Sequence, residues 1–212
     1  MNRILVTGAT GFVGRALCTK LVAHGKKVRG TIRHESVQLP QGIEWSVVGD
    51  LYKHPDWYPA LRNVEVVIHC AAHIPTALDT FPTSLINCKR VNREGTRQLA
   101  EACVEHGVRR LVFLSTLKVL GEHSRTRVPL TPDSLPKPTD DYAKSKLEAE
   151  QELWQIAGRS GLEVVVVRPP LVYGPEVRAN FLRLWLIVAR GFPLPFGRIE
   201  NLHSLVGLGN LV

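Results

Sequence analysis

Three groups of residues in this 212-residue chain have types and spacings that could do chemistry. Tyr142 and Lys146 stand four apart in a helix-compatible run, so their side chains share one helix face. An ammonium beside a phenol stabilises the phenolate and lowers a tyrosine pKa from its usual ~10. A phenol tuned in this way can give a proton to, or take one from, a sugar hydroxyl or ketone. Ser115-Thr116 closes an apolar run, and either hydroxyl can hold the same oxygen. At the front of the chain, Gly8, Gly11 and Gly14 recur at intervals of three in Thr7-Gly8-Ala9-Thr10-Gly11-Phe12-Val13-Gly14. Glycine has no Cβ and accepts positive φ, so backbone can approach a ligand there. A helix start just beyond would offer unpaired N–H groups and a positive dipole end to a pyrophosphate. The spacing has one residue more between its first two glycines than the general G-x-G-x-x-G fingerprint. Each group alone has a plainer reading: a tight turn, a strand end, the start of an amphipathic helix. Together in one chain they point to a dinucleotide site with a proton-transferring phenol.

The elements that must position these groups follow from hydrophobic periodicity. Asn2 to Val6 reads as a strand, and Phe12, Val13, Ala16, Leu17, Leu21 and Val22 mark a helix that stops at His24-Gly25. Lys27 to Ile32 is a second strand. In a dinucleotide-binding domain its end meets the adenosine ribose, where an acid favours NAD and an arginine favours the 2′-phosphate of NADP. Arg33 therefore favours NADP slightly over NAD, with Glu35 as a rival ribose ligand and a surface cation as the plainer reading of Arg33. Ile43 to Val48 is a third strand, closed by Gly49-Asp50-Leu51; Asp50 could accept from an adenine amino group or cap the next helix. Val64 to His69 is a fourth, and Cys70-Ala71-Ala72-His73 supplies small residues where a cofactor would lie close to the backbone. Thr83 to His106 carries a long helical pattern, in which Gly95 costs stability unless something packs close to it. Arg110 to Ser115, a Pro-rich loop over 128–139, a helix over Tyr142 to Ala157 and a strand over Leu162 to Val167 complete the alternation. Strands alternating with helices predict an α/β, doubly wound, Rossmann-like parallel sheet, with ligands beyond the carboxyl ends of its strands.

Composition narrows the function classes. Hydrophobic residues make up 44% and charged residues 22%, enough apolar material for a sizeable core. The net charge is +8 and the pI about 9.6, but the basic residues are scattered, so anionic small molecules are better partners than nucleic acid. Cys18, Cys70, Cys88 and Cys103 have no metal-type spacing and read as buried free thiols of a reducing compartment. His69 and His73 lack a completing carboxylate or thiolate, so no metal site is expected. No apolar run approaches ~18 residues and no signal precedes the first strand, so a membrane span is not expected and the cytoplasm is the expected location.

The combined pattern resembles the extended short-chain dehydrogenase/reductases, in the NAD-dependent epimerase/dehydratase family acting on nucleotide-sugars. The matching residues are Gly8, Gly11 and Gly14; Asp50; Ala71-Ala72; Asn92 with Gly95-Thr96; Ser115-Thr116 before Val119 and Gly121; Tyr142-Ala143-Lys144-Ser145-Lys146; and Arg168-Pro169-Pro170-Leu171-Val172-Tyr173-Gly174-Pro175. Asn180-Phe181-Leu182 and the run from Arg190 to Gly197 are similar to a subgroup of surface-polysaccharide enzymes that includes UDP-sugar 4-epimerases and 4-ketoreductases. The resemblance implies Tyr142 as acid/base, Lys146 as ribose ligand and tuner of Tyr142, and Thr116, with Ser115 beside it, as the catalytic hydroxyl. It implies cofactor contacts at Gly8, Thr10, Gly11, Phe12, Val13, Gly14, Arg33, Asp50, Leu51, Ala71, Ala72, His73, Asn92, Pro169 and Val172, and substrate contacts at Thr116, Tyr142 and Asn180. It further implies a dinucleotide-binding domain over 1–175, only the start of a substrate-binding part over 176–212, a UDP-sugar substrate, NAD(P) and a homodimer. Leu117 and Lys118, where dehydratases carry acids, argue against dehydration. The alternative of another class is a non-catalytic dinucleotide-binding regulatory protein on the same fold; the intact Tyr142, Lys146 and Thr116 argue against it.

Overall fold

A computed structural model describes residues 3–34, 40–75, 79–80, 82–122, 129–177, 179–193 and 202–212. Strands β1 (Arg3–Thr7), β2 (Lys27–Ile32), β3 (Ile43–Val47), β4 (Val64–His69), β5 (Arg110–Leu114) and β6 (Glu163–Val167) form one sheet in the order β3-β2-β1-β4-β5-β6, parallel at every pairing. Helices α1 (Phe12–Ala23), α4 (Gly95–Glu105) and α5 (Asp141–Arg159) cross between them. The expected doubly wound sheet is present, and its strand bounds agree with the periodicity to within a residue at each end.

The two faces of the sheet are sorted by the alternation of its strands. Leu5 belongs to a core with Val67, Leu99, Leu111, Phe113, Leu153 and Ile156. Its neighbour Val6 belongs to a second core with Ala9, Cys18, Val28 and Ile43. Burial on both faces is why these strands read as continuous apolar runs. The chain leaves β1 toward β2 and β3 on one side, then returns to β4 on the other. The order reverses there, so the crevice beyond the carboxyl ends of β1 and β4 is where such sheets bind ligands.

Four features depart from the expected elements. The helical pattern over 83–106 is three pieces: α3 (Thr83–Asn87), a π-helical turn (Cys88–Glu94) and α4. A π-turn inserts one residue and re-aims the side chains on it, and periodicity does not register it. A short α2 (Tyr58–Leu61) precedes β4, held by Arg29, whose guanidinium is buried and donates to the carbonyls of Pro59 (2.9 Å), Ala60 (2.7 Å) and Arg62 (3.0 Å). Asp50 caps no helix; it pairs with Lys53 at 3.0 Å in a turn. Beyond the sheet, β7 (Leu171–Tyr173) and β8 (Leu205–Gly207) pair in parallel, with α6 (Ala179–Ala189) between them and α7 (Leu208–Leu211) after. Lys20 of α1 donates to the carbonyls of Gly209 (3.0 Å) and Val212 (2.6 Å), fastening this last helix to the first. Among the described residues, no helix is long and apolar enough to cross a membrane.

Candidate functional site

The glycine turn is shaped by contacts that leave no room for side chains. Gly8 has φ +66, and a Cβ on it would lie 2.7 Å from the Ala71 nitrogen, so β1 and the segment after β4 meet at van der Waals limits. Gly11 donates its N–H to the Gly8 carbonyl at 2.9 Å, closing the turn. A Cβ on Gly14 would lie 2.2 Å from the Gly8 oxygen. Helix α1 therefore begins tight against the turn. Its N-cap, Gly11, offers no side-chain cap, and the first turn carries no acid. The opening N–H groups of α1 have no side-chain acceptor, the arrangement a pyrophosphate would satisfy. A dinucleotide therefore fits this turn, with Thr10, Gly11, Phe12 and Val13 at its helix end and Ala71, Ala72 and His73 across the crevice.

A buried polar chain ties this turn to the helix that carries Tyr142. The Ala71 N–H donates to Thr7 Oγ1 (3.3 Å), and the Thr7 hydroxyl lies 2.5 Å from His69 Nδ1. His69 Nε2 lies 3.0 Å from Thr96 Oγ1, which donates to the Asn92 carbonyl at 2.5 Å. Since Thr96 commits its hydrogen to that carbonyl, it can only accept from His69. His69 is thus the Nε2–H tautomer and accepts from Thr7 at Nδ1. Burial, with a smaller push from the Lys146 charge, lowers its pKa to about 3, so it is a neutral hydrogen-bonder with both ring nitrogens engaged, by Thr7 and Thr96. No group of potential metal-binding side chains occurs among the described residues.

Asn92 continues the chain. Its amide accepts from the His73 N–H (2.7 Å) and donates to the His73 carbonyl (3.0 Å) and to Ser145 Oγ (2.9 Å). Ser145 in turn donates to the Tyr142 carbonyl at 2.8 Å. Asn92 was expected at the cofactor. It is instead fully buried, with its amide engaged by protein, and acts as a brace that holds the His73 backbone against α5. The π-turn is what aims it inward. Leu51, also expected at the cofactor, has its side chain in the core, where a Cβ on Gly95 would come within 2.9 Å of it. That contact is the close packing that justifies a glycine at the start of α4.

Tyr142 and Lys146 lie on α5, whose N-cap Asp140 accepts from the Ala143 N–H at 2.7 Å. Tyr142 lines a cleft of about 280 Å³ with Ile74, Pro75, Ser84, Lys118, Asp140 and Asp141. Lys118 pairs there with Asp140 (2.6 Å) and Glu122 (3.5 Å). Lys146 is buried, with its ammonium 3.9 Å from the centre of the Phe113 ring. Burial lowers its pKa to about 7, partly offset by the Cys70 and Glu150 charges. The expected tuning of Tyr142 is absent: burial, aided by Asp140 and Cys88, raises the phenol to about 12. Spacing placed the pair on one face, but burial acts on both groups and weakens the very charge that was to stabilise the phenolate.

Thr116 and Ser115 diverge. Thr116 is partly exposed, and its hydroxyl accepts only a long bond from the Lys118 N–H (3.3 Å) among the described residues. Ser115 is 3% exposed and its hydroxyl donates to the buried Glu150 carboxylate. Ser115 is therefore not a free catalytic hydroxyl, a correction that follows from strand alternation: neighbouring side chains point to opposite faces. Arg33 is exposed just past β2, beside His34; Glu35 lies outside the described residues. Pro169 is buried beyond β6, where its carbonyl accepts from the Leu117 N–H (2.8 Å), and Val172 sits in β7. Asn180 belongs to α6, and its side chain lies outside the described part. The sequence reading missed Glu150, although it extends the 142–146 interval by four more residues and so shares their stripe. It quoted Thr7, Thr96 and Ser145 only as members of motifs, and their hydrogen-bonding role is one for which only the fold gives a signal.

The profile of the NAD dependent epimerase/dehydratase family matches residues 4–187. A UDP-glucose 4-epimerase of Vibrio cholerae is 41% identical over 211 residues, 99% of this chain and 64% of that protein. The chain thus spans less than two thirds of that relative's length. Among solved structures, the UDP-glucose 4-epimerase of Thermus thermophilus in complex with NAD superposes with a TM-score of 0.83 at 26% identity, covering 99% of this chain and 71% of that one. The UDP-glucuronic acid 4-epimerase of Bacillus cereus, in complex with UDP-glucuronic acid and NAD, superposes with a TM-score of 0.82 at 27% identity over 98% and 69% of the two chains.

Proposed function

The chain belongs to the NAD-dependent epimerase/dehydratase family, and on that premise we propose that it carries the NAD(P)-binding and catalytic residues of a nucleotide-sugar 4-epimerase acting on a UDP-sugar. The observation that carries this reading is the convergence of the uncapped glycine turn and the Tyr142–Lys146 helix, joined by one hydrogen-bonded chain from Thr7 to the Tyr142 carbonyl. The relatives' activities agree with it.

A nicotinamide cofactor held at the glycine turn and by Lys146 would supply the hydride acceptor and donor for C4 of the sugar. The protein's part is to hold and move the proton. Tyr142, held as a neutral phenol by its burial, must first lose its own proton; as phenolate it takes the proton of the C4 hydroxyl and gives it back to the 4-keto oxygen, while the Thr116 hydroxyl holds that oxygen. Lys146 binds the nicotinamide ribose, and with a pKa near 7 it can carry or release its own proton in the neutral range. Replacing Tyr142 by Phe should abolish interconversion of UDP-galactose and UDP-glucose while NAD still binds. Turnover by that variant would defeat the assignment.

A 4-ketoreductase drawing on NADPH is the second reading. Arg33, exposed at the ribose end of β2, favours it. The dissociation constants of NAD and NADP, compared before and after Arg33→Ala, decide between the cofactors: a loss confined to NADP supports the reductase. From the family resemblance we further propose a cytoplasmic homodimer of the surface-polysaccharide type, with the substrate-binding part beginning at about residue 176 and Asn180 reaching the diphosphate.

A further inference from the structure

Glu150 is almost fully buried and carries a charge the proton-transfer scheme does not use. Arg168 clamps it from beyond β6: Nη2 reaches Oε2 at 2.6 Å, and Nε reaches Oε1 and Oε2 at 3.1 and 3.2 Å. The second partner is the Ser115 hydroxyl, from the residue next to Thr116. Glu150 thus joins three elements at one point: the helix that carries Tyr142 and Lys146, the end of β5, and the end of β6. Main-chain bonds flank Thr116, with Ser115 N–H to the Val167 carbonyl (2.8 Å) and Leu117 N–H to the Pro169 carbonyl (2.8 Å). These fix the strand end to β6, but neither reaches α5. Lys118 reaches the N-cap of α5 through Asp140 (2.6 Å), two residues beyond Thr116; the hydrogen bond from the strand end itself to the body of α5 is, among the described residues, the one from Ser115 to Glu150.

We propose that Glu150 is a positioning residue: through the Ser115 hydroxyl, with Arg168 as its clamp, it sets the distance between Thr116 and the face of α5 that carries Tyr142 and Lys146. Buried ion pairs are commonly replaceable by apolar residues without loss of stability, so stability alone gives little reason for this one. A hydroxyl and a phenol that must hold one sugar oxygen do depend on their separation, and a displacement of about 1 Å costs roughly a hundredfold in rate.

The catalytic arm of the test rests on the proposed epimerase reading; the exchange arm does not. The proteins compared would be the parent chain, S115A, the double variant E150L/R168L, and the triple variant combining them. In S115A the Glu150–Arg168 pair survives, and in the double variant carboxylate and guanidinium leave together, the buried Lys146 ammonium losing only the part of its compensation that Glu150 supplied, so the melting temperature should stay within a few degrees of the parent. Amide exchange at residues 115 and 117 should quicken roughly tenfold in both, while exchange elsewhere in β5 stays slow. With UDP-galactose and NAD, kcat should fall about ten- to a hundredfold with little change in KM, and the triple variant should be no slower than the double, since both act through one tether. Additive losses would make Ser115 an independent participant and overturn the proposal, as would unchanged exchange and unchanged kcat. A parent chain inactive on UDP-galactose would count against the epimerase reading, and exchange at 115 and 117 would still decide the role of Glu150.

Discussion

Two glycine-to-alanine changes, both inside helices, should have opposite effects, and the structure sets the sign of each. In Gly14→Ala the new Cβ would lie 2.2 Å from the Gly8 oxygen, 2.8 Å from the Gly8 carbonyl carbon and 3.1 Å from Ala9 Cα, all backbone atoms. A carbon–oxygen contact settles near 3.3 Å, so α1 and the turn must part by about 1 Å. Forced overpacking of this kind costs about 1–3 kcal/mol, more than the roughly 1 kcal/mol that alanine gains over glycine in a helix. The same displacement spoils the N–H groups that would grip a pyrophosphate. Charge-assisted hydrogen bonds are worth about 1.5–3 kcal/mol, so losing one weakens cofactor binding about ten- to a hundredfold. In Gly158→Ala, near the end of α5, the Cβ meets nothing within 4 Å. That variant should gain roughly 0.5–1 kcal/mol and bind cofactor as before. Chemical denaturation gives the stabilities and titration calorimetry with NAD gives the affinities. A Gly14→Ala protein as stable and as tight-binding as the parent would refute the steric argument and the placement of the pyrophosphate with it.

Acid should destabilise the fold through His69. Its folded pKa is about 3, below the unfolded value near 6.5, so the unfolded chain binds the proton first. Stability is full above pH 6.5 and declines as pH falls toward 3; the urea midpoint measured across that window should drop, and should drop less in His69→Asn. Lys146→Met should raise the urea midpoint at neutral pH, because the parent ammonium is buried with its pKa lowered to about 7, while turnover of UDP-galactose disappears. In the parent, the same depression predicts stability rising between about pH 7 and 10.5, and the variant should lack that rise. Cys18 and Cys103 are buried and free, with burial raising both thiols, so a thiol reagent should label them only as fast as the protein opens, and denaturant should accelerate labelling sharply.

The sheet was legible in the chain because its strands are buried on both faces and its helices on one, and those two patterns survive in sequence. The glycine turn, Tyr142, Lys146 and Thr116 were legible because their chemistry depends on residue type and short spacing. What the sequence left open depends on groups that approach from different elements. Ser115 and Thr116 are equivalent hydroxyls on paper; strand alternation aims one at Glu150 and leaves the other partly exposed, with only a long bond from the Lys118 N–H among the described residues. Asn92 looked like a ligand residue until a π-turn directed its amide to His73 and Ser145. The electrostatics of Tyr142 went the other way from the expectation, since spacing registers that an ammonium is near but not how far burial suppresses its charge. Residue type and periodicity thus determined the sheet and singled out the groups to which the proposed chemistry is given. Which donor meets which acceptor, and in what dielectric, was decided only where distant segments pack together.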